Sequence, residues 1–184
     1  MKKIASFLQL VFVLFLISFT VTRCHILAPV GDTTRPNPTT TKPKPNTKVD
    51  READFRADII QYAKQYKGTN YLYAGRDPGK GFDCSGFTYF VMKEYGIDLS
   101  PSSRAQENQG RKIRINEVQA GDLIFYRRSA NTDVFHVSLV VANDPDGIKV
   151  IHSTSRGVVI DNISTSSYWE PKISTARDVV SSKF

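Results

Sequence analysis

Two cysteines and three histidines are all the chain offers for chemistry that joins a thiol to an imidazole. Cys84 sits in Gly81-Phe82-Asp83-Cys84-Ser85-Gly86-Phe87, a glycine-flanked turn, and Phe87, Val91 and Tyr95 then recur at spacings of three and four. Cys84 therefore opens a helix and points to its buried side. A helix amino terminus favours negative charge, which biases a thiol placed there toward the reactive thiolate. The competing reading is a buried, inert cysteine, the commoner state of a lone thiol.

His136, in Asp133-Val134-Phe135-His136-Val137-Ser138, stands at the start of a strand-like run. A lone strand histidine is usually structural, but His152 alters the balance. With the turn Asn143-Asp144-Pro145-Asp146-Gly147 centred on Pro145, facing residues have numbers that sum to about 290, which sets His152 opposite Ser138. Opposed and alternate residues of a hairpin share a face, so both imidazoles project from the same side, one position out of register, and can touch. That supplies a base and an orienter: His136 to take a thiol proton, His152 to fix its tautomer. The same cysteine and histidines could ligate zinc with a water in the fourth position. Against zinc, the histidines lack the HxxxH spacing of helical metal sites, and no carboxylate is evident beside them. The third histidine, His25, belongs to the amino-terminal leader.

The elements that must carry these residues follow from periodicity. Phe55, Ile59, Ile60, Ala63 and Tyr66 mark an amphipathic helix that stops before Gly68, and a long glycine-rich loop leads on to the helix opened by Cys84, which ends at Gly96. Pro101-Ser102-Ser103 starts a short third helix toward Gln109, with Ser102 or Ser103 as its cap. Asp122 to Arg127, Val134 to Ala142, Ile148 to Ser153, Val158 to Ile163 and Ile173 to Val180 are β-branched or aromatic runs with strand character. Helices first and a meandering antiparallel sheet second predict an α+β domain.

The charge of +7 could suggest a nucleic-acid binder, but its placement argues otherwise. Residues 1–49 hold seven of the 25 Lys and Arg and one of the 18 Asp and Glu, hence +6, leaving +1 for residues 50–184. A nearly neutral folded part has no phosphate-binding field, so no nucleic-acid partner is expected. Lys2 and Lys3 precede an uncharged run from Ile4 to Thr22, an export signal that is no part of the fold. Cys24 follows it in a lipidation position, with Arg23 where a small residue is usual. Lipidation, an uncleaved membrane anchor, and cleavage with release all place the remainder outside the cytoplasm. A disulfide from Cys24 to Cys84 would tie the domain to its leader and block Cys84, whereas lipidation of Cys24 leaves Cys84 as the free thiol. Pro29 to Lys48 is built of Pro, Thr, Asn and Lys and cannot bury surface, so it is an extended spacer reaching up to roughly 60 Å. The expected organisation is a leader at 1–24, a linker at 25–49 and one domain at 50–184.

Taken together, Tyr71-Leu72-Tyr73-Ala74-Gly75, Phe82-Asp83-Cys84-Ser85-Gly86-Phe87, Ala120-Gly121-Asp122-Leu123-Ile124-Phe125-Tyr126, His136-Val137-Ser138 and His152 resemble the NlpC family of bacterial cell-wall cysteine peptidases. Tyr168-Trp169 and Ala176-Arg177 are similar to that family's closing strand, so the resemblance covers about residues 52–180. It implies a papain-like fold, with the Cys84 helix packed against the sheet of His136 and His152. It also implies Cys84 as nucleophile, His136 as base and His152 as the third polar residue. By the same resemblance Tyr71 lines the site near the oxyanion and the substrate amine, and Asp83 and Ser85 match positions that hold a free amino terminus. Ala74 replaces the first glycine of the usual pair. The implied reaction is cleavage of peptidoglycan stem peptides after D-γ-glutamyl, before diaminopimelate or lysine, by a monomer at the cell envelope with no metal or organic cofactor. The rival readings are a wall amidase or other acyl-transfer enzyme on the same scaffold, and a wall-binding lipoprotein with an inactive cleft.

Overall fold

A computed structural model describes residues 47–184; the leader, Cys24 and nearly all of the linker lie outside the described residues. Helix α1 spans Lys48–Lys64. It starts earlier than the apolar periodicity suggests because Thr47 and Asp50 form a capping box, with reciprocal bonds of 3.0 and 3.1 Å. The last residues of the segment read as linker therefore belong to the helix, and Ile59, Ile60 and Ala63 form its buried stripe.

The loop after α1 carries a small hairpin, β1 (Arg76–Asp77) with β2 (Gly81–Phe82), and leads directly into α2 (Cys84–Glu94). Helix α3 (Ser103–Gln106) and strand β3 (Arg111–Ile113) follow. Ser102 holds the cap position of α3, but its hydroxyl makes no capping bond. The remaining strands are β4 (Leu123–Arg127), β5 (Val134–Asp144), β6 (Gly147–Thr154), β7 (Gly157–Asn162) and β8 (Ile173–Asp178). They form one antiparallel sheet in the order β3-β8-β4-β5-β6-β7. The α+β class and the helix-then-sheet order agree with the sequence; β1, β2 and β3 are too short to leave a periodic signal.

The sheet is buried on both faces. Phe125, Val137, Leu139 and Ile151 share one core with Ile59, Phe87 and Val91 of the helices. Ile124, Tyr126, Val140 and Val150 form a second core with Trp169 and Ala176 on the opposite face. Tyr168 and Trp169, expected in the closing strand, lie before it: β8 begins at Ile173, after a turn of 3-10 helix at Glu170–Lys172. The proline at the start of that turn breaks the extended run.

Two tight joints fix the start of α2. A Cβ on Gly86 would fall 1.9 Å from the carbonyl oxygen of Gly75, and one on Gly75 would fall 2.4 Å from that of Gly81. The Tyr71–Gly75 loop therefore lies directly against the first turn of α2. Farther off, the buried Arg56 guanidinium satisfies all five donors: Glu52, the Ala120 carbonyl, Asp122, Asp178 and Ser181, at 2.8 to 3.0 Å. It clasps α1 to the start of β4 and the end of β8, which accounts physically for the aspartate of the Ala120-Gly121-Asp122 run.

Candidate active site

Asp83 caps α2, accepting the Gly86 amide at 2.6 Å and the Ser85 hydroxyl at 3.1 Å on the same oxygen. The helix therefore begins at Cys84, as the spacing predicts. Cys84 is the free, partly buried thiol of the described residues. The backbone amide of Val137, the residue after His136, lies close enough to its sulfur to favour the thiolate. This contact joins the amino end of α2 to β5, and Ser153 Oγ, bonded at 2.7 Å to the Phe82 carbonyl, ties β6 to the same turn.

The hairpin register follows the turn-centred expectation near the histidines: Leu139 pairs with Ile151 and Val140 with Val150. Both imidazoles therefore share a face. His136 Nε2 and His152 Nδ1 lie 3.0 Å apart. The register of β4 against β5 shifts between Tyr126 and Arg127, so an extra residue, Phe135, is accommodated beside His136; such bulges re-aim the adjoining side chain. Trp169 stacks on His136 with ring centroids 4.6 Å apart, and both histidines are shielded, His136 at 7 % exposure and His152 at 0 %.

Sequence reasoning missed two participants. Asp161 of β7 presents Oδ2 to His152 Nε2 at 3.0 Å, to Trp169 Nε1 at 3.3 Å and to the Arg156 guanidinium. A carboxylate does therefore stand beside the histidines, contrary to expectation. The signal was the second hairpin: His152 pairs with Val159, which puts Asp161 on the face of His152, diagonally across. Trp169 was legible as a motif residue but not as the cover of the imidazoles. Among the described residues no group of three or more His, Cys, Asp or Glu side chains is placed to hold a metal ion.

One open cleft is lined by Tyr71, Cys84, His136, Asp161 and Trp169 among others. Asp83 and Ser85 are not among its lining residues; they are engaged in the cap, and Ser85 is buried. Tyr71, 44 % exposed, has its phenol pKa raised by burial and then by the nearby Cys84 and Asp83.

Electrostatics correct one expectation. Burial pushes the Cys84 thiol up to about 11, outweighing the amides of Val137 and Ser85 that favour the thiolate. Burial, followed by the neighbouring His152, holds His136 well below the ordinary imidazole value. Burial thus disfavours the charged form of both groups, against the bias that the helix terminus gives the thiol.

A papain-like arrangement of helix and sheet, with a thiol at the helix start and paired histidines on the sheet, defines the class. Residues 68–178 match the NlpC/P60 family, and the chain belongs to that family. It is 31% identical over 133 residues to the Murein DD-endopeptidase MepS/Murein LD-carboxypeptidase of Escherichia coli K12, covering 71% of this chain and 66% of that one. It is 36% identical over 116 residues to a Gamma-D-glutamyl-L-lysine dipeptidyl-peptidase of Bacillus cereus, covering 61% of this chain and 33% of the relative. The crystal structure of an NlpC/P60 family protein from Bacillus cereus aligns with a TM-score of 0.61 at 34% identity, over 68% of this chain and 40% of that one. The chain thus spans between a third and two thirds of the length of these relatives. Among the described residues no helix is long and apolar enough to cross a membrane.

Proposed function

We propose that this chain is an exported peptidoglycan hydrolase that cuts the wall's stem peptide between D-γ-glutamate and diaminopimelate or lysine. The observation that carries the reading is a single cleft lined by the α2 thiol and His136, with His152 bonded to His136 from its buried side. The names of relatives that act on murein and on γ-D-glutamyl-L-lysine point to the same substrate class.

In this reading Cys84 Sγ attacks the amide carbon while its proton passes to His136. Because His136 gives Nε2 to His152, Nδ1 is the nitrogen left to receive it. His136 returns that proton to the leaving amine, and a water activated by the same imidazole then hydrolyses the thioester. His152 is the third member. Tyr71 stands beside the thiol on the substrate side, and Asp83 and Ser85 bind a free amino terminus, an assignment that must coexist with their capping bonds. Cys24 anchors the chain through lipid, and the Pro- and Thr-rich spacer gives the domain its reach into the wall.

Purified protein and its Cys84→Ala variant, incubated with defined muropeptides and analysed by mass spectrometry, test the reading. Native protein is expected to release fragments ending in γ-glutamate, and the variant none. Cleavage by the variant refutes the nucleophile; native cleavage at the muramoyl–alanine amide instead makes the chain an amidase.

A further inference from the structure

Resting on that reading, we propose that Asp161 is a positioning residue of the reaction: through His152 it sets the proton positions that leave His136 a free lone pair on Nδ1. Three groups form a chain of donors and acceptors. Asp161 Oδ2 receives His152 Nε2 at 3.0 Å and, at the same oxygen, the indole of Trp169 at 3.3 Å and the guanidinium of Arg156. Indole and guanidinium can only donate, so that oxygen is held as an acceptor. A neutral imidazole carries one N–H, and an acceptor at Nε2 places it there. His152 Nδ1 is then a bare lone pair, which requires its partner at 3.0 Å, His136 Nε2, to be the donor. His136 is left with its lone pair on Nδ1, the nitrogen a base needs here.

Each link depends on the one before it. Without an acceptor at residue 161, His152 can carry its proton on Nδ1, and His136 then takes the opposite tautomer, with an N–H aimed where the thiol proton must go. Arg156 and Trp169 serve the same device by occupying the carboxylate and fixing its orientation. Burial would raise the Asp161 pKa, but Arg156 and His152 hold it below the ordinary carboxylate value, so the acceptor persists in mildly acid solution.

Asp161→Ala removes the acceptor, whereas Asp161→Asn can still offer an amide oxygen to the three donors. Nitrogen-15 NMR of labelled histidines is expected to show the proton on Nε2 of both His136 and His152 in the native protein. Asp161→Ala should mix the tautomers and lower kcat roughly 10- to 100-fold with KM changed less than about threefold. Asp161→Asn should keep the native tautomers and recover most of the rate. Native protein with the proton of either imidazole on Nδ1 alone would overturn the proposal, even if the alanine variant does not fold. So would equal losses in the alanine and asparagine variants. Native protein that shows these tautomers but digests no muropeptide would support the positioning role and count against the substrate assignment instead.

Discussion

The chemistry of single residues here is governed by burial more than by the helix terminus. The helix behind Cys84 favours the thiolate, yet partial burial outweighs it and pushes the thiol up to about 11. A group whose acid form is stabilised by folding keeps its proton to higher pH than the unfolded chain would. In the proposed mechanism the proton passes from sulfur to His136 as the bond to carbon forms. Far-ultraviolet thiolate absorbance, taken as native minus Cys84→Ala, should be absent near neutrality and rise only in alkaline solution toward about 11. Full thiolate absorbance at neutral pH would show that an ion pair already exists at rest.

Elements place these residues by contacts that allow little substitution. The first turn of α2 and the Tyr71–Gly75 loop meet at backbone distance, since a methyl on Gly86 would sit 1.9 Å from the Gly75 oxygen. Gly86→Ala should therefore lower stability by at least about 2 kcal/mol, read from the urea midpoint, and reduce hydrolysis by displacing Cys84. An unchanged midpoint with full activity would mean that the loop yields freely. The same elements show what the sequence makes legible. The spacing from Cys84 through Phe87 and Val91 marks α2, and the turn centred near Pro145 predicts that His136 and His152 share a face. Asp161 is not legible there because its place depends on a second turn, at Ser155 and Arg156, which has no Pro-Asp-Gly signal to fix its centre. The start of α1 at Lys48 escaped because a polar capping box, with no apolar periodicity, sets it.

At the scale of the whole molecule, a two-faced sheet separates two tasks. One face packs α1 and α2 and so fixes the thiol; the other carries the imidazoles beneath Trp169. The cleft forms where the start of α2 reaches β5 at Val137. Arg56 stabilises the frame by joining α1 to one end of the β4–β8 pair, where the start of β4 lies beside the end of β8. The apolar content of β4 and β5 is nearly continuous because both faces are covered, which is why those strands were readable as runs but not as alternations. Graded alkylation tests whether Cys84 is the nucleophile. Protein treated with iodoacetamide to increasing extents would be assayed for Cys84 modification by mass spectrometry and for muropeptide hydrolysis. Activity is expected to fall in proportion to the Cys84 modified, and bound muropeptide to slow the modification. Hydrolysis that persists after complete alkylation of Cys84 would contradict that assignment.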